Sequence, residues 1–472
     1  MGRPHTVDMV STSVLWFRRD LRLRDNPALL AAADSRPVAL FVVDPALWDP
    51  AGAVRRTYLL RSLRRLDESL GGKLHVRFGD PVAVLPLVAA QVGARQVHCA
   101  ADYGPYGARR DDAVQAALAA SGRLLVRTGS SYAVAPGRVV KPDGSPYRVF
   151  TPFHRAWVAH GWRPPAPDPP APVQWQALAG GADLPNEPDL AGLILPEVGE
   201  LAARSRWAEY LEGGLVAYAE HRDRADLSAT SSLSAALRWG EIHPRTVLGD
   251  LAYLPGRAPE IFRKELAWRE FYADVLHHVP VSARACLRPN LAGMELETGP
   301  EADAALAAWQ HGRTGFPLVD AGMRQLQAEG WMHNRVRMVA ASFLVKDLHL
   351  DWTVGARWFM RWLRDGDLAS NQHGWQWVAG TGTDAAPYHR IFNPVLQGLR
   401  FDPDGNYVRR YVRELRAVQG AAVHEPWTLQ GGLPPGYPDR VVRHEHERQV
   451  ALDRYAAATG RGPTVAGTAP NG

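Results

Sequence analysis

Five short apolar runs open the chain: VLWF at 14–17, VALFVV at 38–43, LHVRF at 74–78, QVHCA at 96–100 and LLVRT at 124–128. Between them lie Ala/Leu/Arg stretches such as RTYLLRSLRRLDESL, whose apolar residues fall at helical spacing. This βαβα alternation predicts a parallel sheet wrapped by helices, with ligands outside the carboxyl ends of the strands. From about residue 201 the pattern turns helical and strand-like runs almost vanish. The expected fold is therefore an α/β N-terminal domain on a Rossmann-like parallel five-stranded sheet, followed by an all-α C-terminal domain. We place the α/β domain at 11–131, an interdomain connection at 132–200, the helical domain at 201–455 and a disordered tail at 456–472. The connection includes WRPPAPDPPAPVQWQALAGGADLPNEPDL, rich in Pro, Ala and Gly and without sustained periodicity.

No G-x-G-x-x-G or G-x-x-x-x-G-K-[ST] follows any of the strands, so a conventional dinucleotide or nucleoside-triphosphate loop is not indicated. Cys99 and Cys286 are the only cysteines, which leaves no disulfide framework and no cysteine-based metal site, and no metal is expected. No run approaches the roughly 18 to 20 apolar residues that a membrane span needs. The opening MGRPHTVDMVSTS has no apolar signal-peptide core, so the expected location is the cytoplasm. The formal charge is only +5, but the basic residues are mostly arginine, and clustered on one face they would favour a polyanion.

Four clusters in the helical half carry chemistry. In IFRKELAWREFYADVLHH, Glu265, Trp268 and Tyr272 fall at i, i+3 and i+7 and share one helical face. The plain alternative is an amphipathic helix with a tryptophan half in the core. In GWMHNRVRM, Asn334 and Met338 share a face, while Arg335 and Arg337 could reach phosphates or a carboxylate; a solvated basic helix would look the same. In ATSSLSAALRWGEI, a hydroxyl run precedes a helix, which is an N-cap signature and also a place to hold a phosphate. In DGDLASNQHGWQW, the two aspartates, Asn371, Trp375 and Trp377 do not resolve into a simple helix face. Tryptophans so placed can pack, stack on a base or carry an electron.

WFRRDLRLRDNPAL, ELAWREFY, TGFPLVDAGMRQLQAEGWMHNRVRMVAASFLVKDLHLDW and DGDLASNQHGWQWVAGTGTDAAPYHRIFNP together resemble the DNA photolyase and cryptochrome family, most of all the class I cyclobutane pyrimidine dimer photolyases, from about 13 to 440. The resemblance implies that the helical domain binds FAD, active in its reduced, anionic form, and that the protein repairs cyclobutane dimers in DNA by light-driven electron transfer. By that resemblance Tyr218, Thr230, Ser231, Ser232, Leu233, Ser234, Arg269, Asp365, Gly366 and Asp367 would bind FAD, and Asn371 would face the flavin N5. Glu265 would contact the dimer or its radical anion; Arg222, Trp268, Tyr272, Asn334, Arg335, Met338 and Trp377 would complete the DNA-binding set. Trp375, beside the flavin, and Trp352 would carry electrons during photoreduction.

ALFVVDP, Arg55, ADYGPYGARRD and Arg238 resemble the antenna pocket of relatives that use 8-hydroxy-5-deazaflavin, with Asp102 and Tyr106 just past a strand end. A monomer is expected. The alternative is a cryptochrome-like photosensor that binds FAD without repair; Asn371 favours repair, since plant-type cryptochromes tend to have Asp there and animal types Cys. Two departures stand out. The usual surface tryptophan of the relay is missing from 269–308, leaving Trp309, Trp358 and Trp362 as candidates, and Gln372 and His373 replace the family's Asn-Gly.

Overall fold

A computed structural model describes residues 11–180, 183–384 and 390–460. Each of the five apolar runs lies in a strand: β1 Thr12–Phe17, β2 Arg36–Val43, β3 Leu74–Phe78, β4 Gln96–Ala101 and β5 Leu124–Ser130. All neighbouring pairs are parallel and the order is β3-β2-β1-β4-β5. Val14 to Phe17 and Val38 to Val43 are buried on both faces, as strands covered by helices must be. Three crossovers begin alike. Asn26, Asp44 and Asp80 each cap a helix through the side chain and are each followed by a proline, whose missing N–H costs nothing at the first helical position.

The chain leaves β1 toward β2 on one side and β4 lies on the other, so the switch point of the sheet lies between the ends of β1 and β4. Arg18, Arg19 and Asp20 follow β1 and Asp102 follows β4. With Ala100, Ala101 and Ser131 they line a polar cavity of about 10 Å³, room for about one water. Around it Arg110 reaches Asp111 at 2.9 Å and Asp102 at 3.4 Å, and Arg18 bonds Asp111.

The motif RRDLRLRD fastens the two domains together. The Leu21 N–H donates to the Trp239 carbonyl at 3.2 Å, Arg22 donates to the Gly240 carbonyl at 3.0 Å, and Arg245 of the helical domain pairs with Asp25 at 2.8 Å. Gly240 adopts φ +71°, and a Cβ there would lie 2.0 Å from the Arg19 carbonyl, so only glycine permits this closeness. The segment 132–200, expected as a connection, also contains a helix, Phe150–His160. Its Phe153 and Trp157 enter the same core as Phe271 and Val275 of the Arg257–His278 helix. Residues 162–180 and 183–190 have neither helix nor strand. Ala456–Thr459, expected in the tail, close the His444–Thr459 helix; 461–472 lie outside the described residues.

Candidate functional site

Four helices build the centre of the helical domain: Arg257–His278, Asn334–Lys346, Trp352–Trp362 and Leu368–Ala379. The acidic turn between the last two is buried and held from three directions. Arg337 pairs with one oxygen of Asp365 at 2.9 Å, so the carboxylate partner anticipated for that arginine is found. The other oxygen of Asp365 is buried without a partner among the described residues. Arg238 donates to the Gly366 carbonyl at 2.9 Å, and Arg19, from the end of β1, pairs with Asp367 at 2.6 Å. Asp367 also caps the Leu368–Ala379 helix by accepting from the Ser370 N–H. Burial would raise the Asp367 pKa, but Arg19, Arg238 and Arg269 outweigh it and hold the carboxyl well below its usual range.

Arg269 spans two chain segments, donating to the Ser131 carbonyl at 3.0 Å and the Leu237 carbonyl at 3.2 Å while lying over the Tyr132 ring. Arg55, from the Ala53–Ser69 helix, lies beside Gly366; its Nε and the Nη1 of Arg238 are both buried and have no partner among the described residues. Burial lowers the Arg55 pKa to about 10, and burial with repulsion from Arg19 lowers that of Arg238 to about 9.

The hydroxyl run does not cap its helix, contrary to the capping reading. The N-cap of Ser234–Trp239 is Leu233, already in helical conformation, and no side chain caps the end. A capping residue needs extended backbone to aim its oxygen at the N–H groups ahead. Ser232 instead adopts φ +51°. The hydroxyls of Thr230, Ser231, Ser232 and Ser234 have no protein partner among the described residues. Tyr218, buried nearby, packs on Phe262 at 5.1 Å.

On the Arg257–His278 helix, Glu265 pairs with Arg222 at 2.5 Å, and Arg222 lies over the Tyr218 ring. Arg222 and Glu265 thus neutralise one another at the rim. Trp268 is half-buried and lies flat on Phe150, ring centres 3.7 Å apart and planes 7° apart. Tyr272 stacks on His373 at 5.6 Å. Arg335 pairs with Asp223 at 2.9 Å, Asn334 is exposed, and Met338 and Trp377 are half-buried. Gln372 and His373 grip the turn Pro280–Ala283: Gln372 donates to the Ala283 carbonyl at 2.6 Å and His373 bonds the Ser282 hydroxyl at 3.0 Å. Asn371 spends its amide hydrogens on the Ala356 carbonyl and the Gln372 side chain, which leaves its own carbonyl to accept.

Trp375 is buried, and Gly355 makes room for it: a Cβ there would lie 2.2 Å from the indole. Its ring meets Phe359 at 5.0 Å and Trp309 at 6.1 Å, whereas Trp352, also buried, makes no such ring contact with it. Phe150 and Arg19 were missed as site residues. Arg19 stands within the RRDLRLRD motif, whose density of charge was a visible signal; Phe150 lies in the stretch read as connection and had none.

His333 caps the Asn334–Lys346 helix by accepting from the Arg335 N–H at 3.2 Å. Burial, with Arg337 and Arg335 beside it, outweighs Asp223 and the Arg222 backbone and pushes its pKa from 6.5 to about 4. The folded state therefore keeps this imidazole neutral while the unfolded chain protonates it. Its contribution is complete above about pH 6.5 and is lost as pH falls toward 4, as much as about 3 kcal/mol. His333→Asn, which can accept the same bond without titrating, should flatten the thermal-stability profile between pH 6.5 and 4. An unchanged slope would count against this assignment.

Comparison with known proteins adds the following. The family described as DNA photolyase matches residues 13–172, and that described as the FAD binding domain of DNA photolyase matches 262–457. A deoxyribodipyrimidine photo-lyase of Streptomyces griseus is 42% identical over 94% of this chain and 100% of its own length. The enzyme of that name from Escherichia coli is 37% identical over 95% and 99%. The crystal structure of a class III photolyase from Agrobacterium tumefaciens superposes with TM-score 0.88 at 35% identity, covering 97% of this chain and all of its own. A Synechocystis cryptochrome superposes with TM-score 0.84 at 26% identity, covering 94% and 99%.

Proposed function

The chain belongs to the DNA photolyase family, and from that premise we propose that it repairs cyclobutane pyrimidine dimers in DNA, using light and FAD bound in the helical domain. When bound, reduced anionic FAD supplies under blue or near-ultraviolet light the electron that opens the cyclobutane ring, and receives it back. The observation that carries the reading is the set of buried polar atoms without protein partners. Asp365 Oδ1 in the acidic turn and Trp375 Nε1 are buried without a partner among the described residues, and no described protein group bonds the hydroxyls of the half-buried Thr230, Ser231 and Ser232 or of the exposed Ser234. A buried polar atom left unpaired costs roughly 1 to 3 kcal/mol. A ligand rich in hydroxyls, phosphates and ring nitrogens, such as FAD, fits that donor set.

The residues divide the work. Tyr218 and the segment Thr230, Ser231, Ser232, Leu233, Ser234 hold the phosphate and adenine half, with Arg269, Asp365, Gly366 and Asp367 along the rest. Asn371 presents a carbonyl that would accept a hydrogen bond from the flavin N5–H of reduced FAD. Damaged DNA approaches the rim, where the dimer leaves the duplex at reduced cost because damage has weakened its pairing and stacking. Trp268, Tyr272, Trp377, Asn334, Arg335 and Met338 receive it, Glu265 supports its charged form, and Arg222 faces the backbone. The domain bounds given from the sequence, with the helical domain carried on to Thr459, a cytoplasmic monomer and an 8-hydroxy-5-deazaflavin antenna at Arg55, Asp102, Tyr106 and Arg238 belong to the same proposal. Support for an antenna comes from Asp102 at the sheet's switch point and the unpartnered guanidinium N–H groups of Arg55 and Arg238. No described helix is long and apolar enough to cross a membrane.

One preparation tests both levels. Chemically reduced protein under blue light should restore DNA carrying a cyclobutane thymine dimer and leave the (6-4) product. Should neither lesion be repaired while flavin is bound and photoactive, the photosensor reading replaces this one. Denaturing native protein should release a deazaflavin; release of a folate or flavin mononucleotide would overturn the antenna assignment.

A further inference from the structure

Phe150 lies far before Trp268 in the chain, on the helix that the sequence pattern hides, yet the two rings are nearly parallel at 3.7 Å. Phe150 itself is buried at 8% exposure, while Trp268 is half-buried. One indole face is therefore closed by a fixed phenyl ring. Phe271 and Tyr272 close two further sides, at 5.7 Å edge-on and 5.4 Å tilted. With these three rings against it, the indole still keeps part of its surface exposed.

Phe150 is in turn fixed through its backbone. Its N–H donates to the Asp384 carboxylate at 3.0 Å, and the neighbouring Thr383 hydroxyl donates to the Arg148 carbonyl. Asp384 holds φ +46°, a conformation that Asp and Asn tolerate better than most residues. Its carboxylate thus links the loop after the Leu368–Ala379 helix to the first turn of Phe150–His160.

We propose that Phe150, held by Asp384, is a positioning residue for lesion recognition: it backs Trp268 so that a flipped-out pyrimidine dimer meets a pre-set aromatic plane. This rests on the reading of Trp268 as the dimer's stacking platform. A platform free to swing must be ordered at the moment of binding, and that ordering weakens the complex. Phe150 supplies the order beforehand.

A double-mutant cycle separates this role from plain packing. Phe150→Leu keeps apolar volume but removes the stacked ring, and should weaken binding to a duplex with a single thymine dimer by about threefold to tenfold, the worth of an aromatic pair. Binding to the undamaged duplex should not move. In a Trp268→Ala background the same change should add less than about twofold, because its effect passes through the indole. Phe150→Tyr should restore wild-type binding. Asp384→Ala should reproduce the defect and Asp384→Asn, which still offers an acceptor, should not; this pair serves if Phe150→Leu fails to fold. Additive losses in the double mutant, or equal losses on damaged and undamaged DNA, would overturn the role of Phe150. Normal lesion binding by Trp268→Ala alone would overturn the platform reading beneath it.

Discussion

Trp375→Phe abolishes light-driven reduction of oxidised FAD, while repair by chemically reduced protein persists. The indole is buried at 3% exposure, with Gly355 shaped to admit it and its N–H free of any described partner. A phenyl ring fits the same space but yields an electron far less readily, so the photoreduction rate should drop by about a hundredfold or more, equivalent to at least about 2.7 kcal/mol on the barrier. Repair needs no electron from the protein once the flavin is reduced. The surroundings of Trp375 also order the candidates for the rest of the relay. Trp309 touches Trp375 at 6.1 Å but is wholly buried, with its N–H donated to the Ala340 carbonyl, so it can relay a charge without meeting solvent. Trp358 and Trp362 are half-buried and 5.9 Å apart. If unmodified protein reduces its flavin with ordinary efficiency, a loss on Trp358→Phe or Trp362→Phe identifies the terminal donor. Retained photoreduction in Trp375→Phe would remove Trp375 from the relay.

The strands and their order of appearance were legible because each apolar run is local, and in β1 and β2 burial on both faces leaves no other composition open. The acidic turn was legible as a site because DGD, Asn371 and two tryptophans do not form an apolar face. What stayed hidden depends on contacts distant in the chain. Hydroxyls before a helix look like a cap, but the φ of Ser232 and the placement of Leu233 at the N-cap follow from packing of the surrounding segments. The charged run after β1 shows its density in the sequence but not its partners: Arg19 crosses the domain boundary to Asp367 and Arg22 to Gly240. Phe150 is one aromatic among many until the fold lays it on Trp268. Gln372 and His373, puzzling as neighbours of Asn371, are explained once the turn at Ser282 is seen against the same helix.

Trp268→Ala should weaken binding to dimer-containing DNA by about one to two decades and leave undamaged DNA nearly untouched, because base stacking on an aromatic ring is worth roughly 1 to 3 kcal/mol. The asymmetry follows from what each contact reads. On the proposed reading, arginines at the rim would meet phosphates that every duplex presents, whereas only an extruded lesion would reach the indole. Glu265→Ala should act differently. Its carboxylate is engaged by Arg222 at 2.5 Å, so truncation both removes the group that supports the dimer's charged form and frees a guanidinium for phosphate. Binding should therefore hold or tighten slightly while the repair yield per absorbed photon falls. Both variants should retain FAD, since neither residue touches the acidic turn or the hydroxyl segment. Equilibrium binding to damaged and undamaged duplexes, with repair yield from the reduced proteins, separates the two effects. A Glu265→Ala protein with wild-type yield, or a Trp268→Ala protein that loses damaged and undamaged DNA alike, would show that this rim reads charge and not the lesion.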